Sequence, residues 1–203
     1  MIKAIVFDIG GVLLRTDDRS SRQELESEYH LKPGEADQLV FNSQAAQEST
    51  IGRASQKRVW ENVAVQLKLS DDELEDFQKI FWANDRVDHE LIAFLQECRK
   101  SYTTALLSNA WVDARETFAD QYGLIEGKTV DQILFSYELG LAKPDPQIYR
   151  ALSEKLECNF NEIIFVDDFI ENVIAAQALG IHAIHFSPEM DLIDRIKARL
   201  NKP

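Results

Sequence analysis

Four short stretches of this sequence carry side chains that could do chemistry together. Asp8, the pair Ser108–Asn109 and the pair Asp167–Asp168 each follow an apolar run, and Lys143 lies in a proline-rich loop. Acidic groups from distant parts of a chain repel each other unless a cation joins them. Carboxylate oxygens favour a hard ion, and we expect Mg²⁺. A lysine and a serine beside that ion could hold the oxygens of a phosphate group.

Each of these stretches has an ordinary explanation when it is taken alone. Asp8 could be a turn residue at the end of a strand, Ser108–Asn109 a turn or a helix cap, and Lys143 a solvated lysine. The order of the stretches along the chain is what gives them weight, because three of them end strands and one precedes a helix. We therefore predict that these residues form one site.

The elements around these residues predict a parallel sheet. Apolar runs typical of buried strands end at Phe7, Leu107, Phe135, Val166 and His185. Helical periodicity separates them, over His89–Lys100, Trp111–Tyr122, Pro146–Leu156, Ile170–Leu179 and Met190–Leu200. Strands that alternate with helices indicate an α/β, Rossmann-like, doubly wound parallel sheet with right-handed crossovers. The carboxyl ends of its strands share one edge, where ligands bind in such sheets.

Residues 15–85 differ from the rest of the chain in having helical periodicity and no convincing strand. The predicted helices are Arg22–Tyr29, Glu35–Gln47, Ser55–Leu67 and Ser70–Trp82, and the last opens with a capping-box pattern at Ser70 and Glu73. We predict a small helical cap domain over 15–85, inserted into a core domain of 1–14 and 86–203. The alternative is four peripheral helices of one larger domain.

Composition and charge limit the partners. The 203 residues carry a net charge of −13, which argues against a nucleic-acid or anionic-membrane surface because both need a basic patch. Cys98 and Cys158 form no metal spacing and no disulfide framework. We expect a cytoplasmic protein, since no apolar run approaches membrane-spanning length and the chain begins without a signal-peptide pattern.

Across its whole length the sequence resembles the haloacid dehalogenase-like (HAD) hydrolase superfamily, in the branch with a helical cap after the first strand. Asp8 in FDIGGVL matches the nucleophile motif and Ser108 in LLSNA the phosphate-binding position. Lys143 in LAKPDPQIY matches the lysine motif, and Asp167–Asp168 in FVDDFIEN match the acidic metal motif. Most members of this superfamily are phosphatases of small phosphorylated metabolites.

The resemblance implies a role for each residue. Asp8 would attack phosphorus and form an aspartyl-phosphate. Mg²⁺ would be held by Asp8, the Gly10 backbone carbonyl and Asp168, with Asp167 acting directly or through a water. Ser108 and Lys143 would hold the phosphate, assisted by Asn109 and by backbone N–H groups near Gly10 and Gly11. We expect Lys143 to lie between Asp8 and Asp168.

One position departs from the pattern of the superfamily. Most of its phosphatases carry a second aspartate two residues after the nucleophile, which protonates the leaving group, and here that residue is Gly10. Relatives with an Asp-x-Gly-Gly/Asn-Val motif include sugar-phosphate phosphatases, so the sequence favours a Mg²⁺-dependent phosphatase of a sugar phosphate. One alternative is a catalytically weak binding or regulatory protein. A 2-haloacid dehalogenase is less favoured, because that chemistry is metal-independent and needs no second acidic pair.

The cap offers few candidates for substrate contact. They are Arg15, Asp17, Asp18, Asn84 and Arg86 near the hinges, and Gln44, Gln47, Arg53 and Trp60 within the cap. Each is more readily explained as a surface or cap-core residue. His182 and His185 are expected to be structural, and His30 and His89 lack partners at metal spacing. The expected partner is a small phosphorylated metabolite, and the chain is expected to be a monomer or a homodimer.

Overall fold

The computed structural model of the protein describes residues 1–200, and its centre is a five-stranded parallel sheet. In chain order the strands are β1 (Ala4–Phe7), β2 (Leu14–Arg15), β3 (Arg86–Val87), β4 (Thr103–Ser108), β5 (Gln132–Phe135), β6 (Ile163–Asp167) and β7 (His182–His185). The central sheet has the order β5–β4–β1–β6–β7, and all neighbouring strands are parallel. The strand that ends at Asp8 therefore lies in the middle of the sheet.

Eleven α-helices are present in residues 1–200. They are α1 (Ser20–Glu28), α2 (Glu35–Phe41), α3 (Gln44–Thr50), α4 (Gln56–Leu67), α5 (Asp71–Trp82), α6 (His89–Cys98), α7 (Ala114–Tyr122), α8 (Ser136–Leu139), α9 (Pro146–Leu156), α10 (Ile170–Ala178) and α11 (Leu192–Leu200). None of them is both long and apolar enough to cross a bilayer.

Apolar side chains cover both faces of the sheet, which explains why its strands read as continuous apolar runs. Ile5 and Phe7 of β1 pack on one face with residues of α6, α7 and α11. Ala4 and Val6 pack on the other with residues of α9 and α10. Helices on both faces of a parallel sheet make the fold doubly wound, so the predicted α/β, Rossmann-like fold is confirmed.

The helices between β2 and β3 enclose an apolar cluster of their own, to which α1, α2, α4 and α5 contribute. Within the described chain, residues 20–80 contain no strand. The antiparallel pair β2 and β3 brings together the two ends of this segment, at the boundaries expected for the insertion. Its assignment as a separate cap domain stays a prediction.

The predicted helices differ from the structure in several details. The single helix expected over Glu35–Gln47 is two, because the Ser43 hydroxyl accepts a hydrogen bond from the Ala46 N–H and starts α3 anew. The four predicted cap helices are therefore five. The helix expected from Trp111 begins at Ala114, and the short helix α8 was not predicted at all.

Candidate active site

Asp8 lies at the carboxyl edge of the sheet, where β1 ends between β4 and β6. Its backbone N–H donates to the Val166 carbonyl at 2.8 Å, which extends the pairing of β1 with β6 by one residue. The side chain is 6% exposed, and its Oδ1 accepts from the Ile9 N–H at 2.7 Å. The other carboxylate oxygen faces Lys143. The predicted nucleophile is thus fixed by backbone on one side and by a cation on the other.

The Lys143 ammonium is buried among three acceptors. Its Nζ lies 2.8 Å from Asp8 Oδ2, 2.6 Å from Asp167 Oδ2 and 3.1 Å from the Leu107 carbonyl oxygen. An ammonium has three hydrogens, so each of these contacts can take one of them. Burial alone would lower the pKa of Lys143, but the two carboxylates outweigh burial and raise it. The cation is therefore retained in the interior.

This arrangement corrects one expectation. Lys143 was expected between Asp8 and Asp168, whereas its ammonium joins Asp8 to Asp167. Asp167 faces inward from β6 and Asp168 comes one residue after that strand ends, so the two acidic side chains take different directions.

Asp167 is fully buried and its oxygens are occupied. Oδ1 accepts from the Phe169 N–H at 2.8 Å and from Asn172 Nδ2 at 3.0 Å, while Oδ2 accepts from Lys143 and, at 3.1 Å, from Asn172. Asn172, on the first turn of α10, was not identified from the sequence. These bonds make Asp167 a positioning group for Lys143.

The Asp168 carboxylate, unlike that of Asp167, is not fully hydrogen-bonded. Among the described residues its buried Oδ1 has no hydrogen-bond partner. The carboxylate lies directly over Gly11, where a Cβ would be 2.0 Å from Asp168 Oδ2. Gly11 also has φ of +73°, a conformation that glycine adopts without cost. Gly11 therefore makes room for the Asp168 carboxylate.

Three carboxylates meet at this point. One oxygen from each of Asp8, Asp167 and Asp168 lies within 4.8 Å of the others. Burial raises the pKa of Asp8 to about 7, an effect that Lys143 opposes. Burial, helped by the charge of Asp167, raises the pKa of Asp168 to about 6. Asp8 and Asp168 are thus crowded carboxylates that resist ionisation, and a buried oxygen of Asp168 has no partner in the described chain. Such a pair is a donor set suited to a hard divalent cation.

The loop after β4 is hydrogen-bonded to the loop that contains Lys143. Ser108 is the last residue of β4 and is 3% exposed. The Asn109 side chain forms two hydrogen bonds with the backbone of Lys143, donating to its carbonyl at 2.9 Å and accepting from its N–H at 2.8 Å. Asn109, expected to assist with phosphate, is thus engaged in holding Lys143 in place.

Gly10 differs sharply from Gly11. It is exposed, its φ is not positive, and no atom lies within 4 Å of the position that a Cβ would take. The space where many relatives carry a second aspartate is open.

A comparison with protein-family models matches residues 2–180 to the haloacid dehalogenase-like hydrolases. The chain belongs to this family.

The curated relatives include two phosphatases of similar length. The chain is 28% identical to the D-ribitol-5-phosphate phosphatase of Bacteroides thetaiotaomicron over 210 residues, which cover 93% of each protein. It is 26% identical to a sesquiterpene phosphatase of Aspergillus oryzae over 192 residues, 93% of this chain and 91% of that protein. A match to bifunctional epoxide hydrolase 2 of Mus musculus, 33% identical over 89 residues, covers 42% of this chain and only 16% of that longer protein.

Solved HAD structures share the fold. A HAD-family enzyme of B. thetaiotaomicron in complex with magnesium and inorganic phosphate has a TM-score of 0.76 and 20% identity, with both chains fully covered. The L-2-haloacid dehalogenase of Xanthobacter autotrophicus has a TM-score of 0.66 and 21% identity, over all of this chain and 84% of that one.

Most candidate residues near the hinges of this HAD chain are engaged in structural contacts. Arg15 pairs with Asp17 at 3.2 Å and with Asp88 at 2.8 Å. Asp18 accepts from the Ser20 N–H, Asn84 donates to the Ser20 hydroxyl, and Arg86 donates to the carbonyls of Ala83 and Asp85.

Three of the four candidates within the expected cap are hydrogen-bonded or buried, and the fourth is exposed. Gln44 donates to Glu48, Gln47 donates to the Asn42 carbonyl, and Trp60 is 5% exposed in the apolar cluster. Arg53 is exposed. Of the histidines, His185 contacts the Asp168 carbonyl at 2.9 Å through Nε2, and His182 contacts the Asn161 carbonyl at 3.1 Å.

Trp111 makes contacts with the helical segment that were not predicted from the sequence of this HAD chain. It follows Ser108 by three residues, and its ring lies 5.5 Å from Phe41 and 6.0 Å from Trp60, centroid to centroid. The next residue, Val112, donates its N–H to the Ser49 hydroxyl at 3.3 Å. A tryptophan inside a predicted helix looks like a core residue, so nothing local in the sequence indicated this contact.

Proposed function

We propose that this chain is a Mg²⁺-dependent phosphatase of a small phosphorylated metabolite that works through an aspartyl-phosphate on Asp8. The observation that carries the proposal is the pairing of a buried, cation-bound Asp8 with Asp168, whose buried oxygen lacks a partner. Asp8, Asp168 and the Gly10 carbonyl would hold the ion. When bound, Mg²⁺ neutralises the carboxylates and the incoming phosphate.

Each of these residues then has a separate role in the reaction. A carboxylate oxygen of Asp8 attacks phosphorus, an oxygen–phosphorus bond forms, and the bond from phosphorus to the leaving oxygen breaks. The leaving oxygen takes its proton from solvent, because Gly10 supplies no acid. Ser108 and Lys143 hold the phosphate oxygens, and Asp167 and Asn109 keep Lys143 in position. Water then attacks the phosphorus and releases inorganic phosphate and a free Asp8 carboxylate.

The names of two relatives support a phosphatase and suggest two substrate classes. One acts on a polyol phosphate, D-ribitol 5-phosphate, and the other is named for a sesquiterpene. The sugar phosphate favoured by the sequence motif belongs with the first class. The expected partner remains a small phosphorylated metabolite.

Phosphate release from a panel of phosphorylated metabolites, with Mg²⁺ and with EDTA, tests the proposal. We expect release only with Mg²⁺, and complete loss in Asp8→Asn, which keeps the size of the side chain but removes the nucleophilic carboxylate. Release that survives either EDTA or Asp8→Asn would overturn the proposal.

A second candidate is a catalytically weak binding or regulatory protein, and the open space at Gly10 favours it because no acid is present there. Beryllium fluoride mimics the aspartyl-phosphate, so its Mg²⁺-dependent binding without turnover of any substrate would support this candidate. Halide release from 2-halo acids that persists in EDTA would instead indicate a dehalogenase.

A further inference from the structure

A patch of aromatic surface lies beside the end of β4 and the loop after it, which carry Ser108 and Asn109. Phe41 at the end of α2 is 40% exposed, and Trp82 and Trp111 are half-buried. The Phe41 ring lies 5.8 Å from Trp82 and 5.5 Å from Trp111, so the three side chains are contiguous. We call these three residues the aromatic patch. Beneath it, Phe81 is fully buried and Trp60 nearly so.

The patch is connected to the site through a rigid loop. Trp111 follows Ser108 by three residues, so their backbones are separated by at most about 10 Å. The intervening Asn109 is bonded to Lys143, and the Ala110 N–H donates to the Ser136 hydroxyl at 2.9 Å. The group esterified to a phosphate held by Ser108 and Lys143 would therefore have Trp111 within reach.

The rings beneath and around the patch are held in place. The Arg22 guanidinium lies 4.3 Å from the Phe81 centroid and 6.0 Å from that of Phe41. Arg22 is itself buried, with its charge paired to Asp37 and Asp85. The patch is thus preorganised and apolar. Large aromatic rings that keep exposed surface next to convergent polar groups are typical of a ligand site.

We propose that the aromatic patch binds an apolar part of the phosphomonoester substrate, its hydrocarbon chain or ring. This inference rests on the proposed phosphatase function and selects the apolar substrate class over the sugar phosphate favoured by the sequence motif. Sugars and polyols carry hydroxyl groups that would lose hydrogen bonds to water against Phe41, Trp82 and Trp111. A hydrocarbon group gains from the same contact.

The test uses n-alkylphosphonates from propyl to octyl, which bind like phosphates but are not hydrolysed, titrated into the Mg²⁺-loaded protein. We expect Kd to fall by about two- to fourfold for each methylene that the patch covers, which is the range for a partly to fully buried methylene. Inorganic phosphate, which has no apolar part, measures the phosphate site alone.

Variants assign the effect to the patch. Phe41→Ser, at a half-exposed position, should make Kd independent of chain length and leave the Kd of inorganic phosphate unchanged. Trp111→Ser should likewise remove the dependence on chain length. Trp111→Phe, which keeps a ring, should restore most of the dependence. Phe160→Ser is the matched control, because this half-buried aromatic precedes β6 at the opposite edge of the sheet, and it should behave as wild type.

The outcomes separate this inference from the proposed function. Phosphate release from sugar phosphates, together with alkylphosphonate affinity that does not depend on chain length, overturns the aromatic patch as a substrate site and leaves the phosphatase standing. A dimer that Phe41→Ser dissociates, with no chain-length dependence, overturns it in favour of a second copy of the chain. Dependence on chain length without turnover of any phosphomonoester supports the patch and overturns the phosphatase.

Discussion

Gly10→Asp places a carboxylate two residues from the nucleophile, at the position where most phosphatases of the family carry one. The structure provides the room, because nothing lies within 4 Å of a Cβ at Gly10 and the residue is exposed. Its φ is not positive, so the replacement carries no left-handed strain. The variant should therefore fold as well as wild type.

The added group should act as a general acid. The negative charges of Asp8 and Asp168 would favour the protonated form of an aspartic acid added at this position. General acid catalysis contributes about 10²–10⁴-fold. We expect kcat for glycerol 3-phosphate, whose alkoxide is a poor leaving group, to rise by about 10²-fold or more. For p-nitrophenyl phosphate, whose leaving group hardly needs a proton, we expect a change of less than about tenfold.

Steady-state kcat for both substrates, in wild type, Gly10→Asp and Gly10→Asn, decides the matter. Asparagine has nearly the same volume and offers no transferable proton, so it reports any effect of size alone. Thermal unfolding of each variant shows whether it is folded. If Gly10→Asp turns over glycerol 3-phosphate no faster than Gly10→Asn, Gly10 is not a position that merely lacks an acid.

Three further predictions concern the carboxylate cluster. Gly11→Ala should weaken Mg²⁺ binding by at least about tenfold, because its Cβ would lie 2.0 Å from Asp168 Oδ2 and would displace that carboxylate, and because alanine is strained at positive φ. Gly10→Ala should bind Mg²⁺ as wild type does. Calorimetric titration of both variants checks this. Lys143→Met should abolish phosphate binding and lower the free energy of unfolding at pH 8 by about 3–5 kcal/mol, since it leaves buried carboxylates without a cation. The loss should be smaller at pH 5.5, below the raised pKa of Asp8; equal losses in urea unfolding at the two pH values would contradict this. Since burial raises the pKa of Asp8 to about 7 and of Asp168 to about 6, the metal-free folded protein keeps protons that the unfolded chain releases above about pH 4. Its Tm should therefore fall as the pH rises from about 5 to 8, while Mg²⁺ affinity rises over the same range, and a metal-free Tm that does not fall would show that these groups titrate normally.

The sequence was sufficient for the sheet and for the convergence of its acidic residues. Strands buried on both faces read as apolar runs, and parallel strands bring their carboxyl ends to one edge, so Asp8, Asp167 and Asp168 were expected to meet there. Both steps depend on local pattern and on topology, which a single sequence carries. The open space at Gly10, by contrast, required coordinates.

Contacts between side chains far apart in the chain were not predictable. Asn109 bonds to the backbone of Lys143, which is 34 residues away, and a Ser-Asn pair after a strand looks the same whether it caps a helix or holds a loop. The difference between Asp167 and Asp168 depends likewise on Asn172, which bonds only to the first of them. The sequence could identify two adjacent acids but not which one was already satisfied.

The loop after β4 joins parts of the molecule that the sequence describes separately. Ser108 ends the strand beside Asp8, Asn109 holds Lys143, and Trp111 lies against rings of the helical segment. Because these residues are consecutive or nearly so, a displacement of the helices that moves Trp111 also strains the hydrogen bonds of Asn109. In the proposed phosphatase, phosphate positioning and contact with the rest of the substrate would therefore depend on one short loop. A substrate that contacts both Ser108 and Trp111 would stabilise this loop in the geometry that the nucleophile requires. Binding energy from beyond the phosphate would then assist a HAD enzyme that lacks an acid at Gly10.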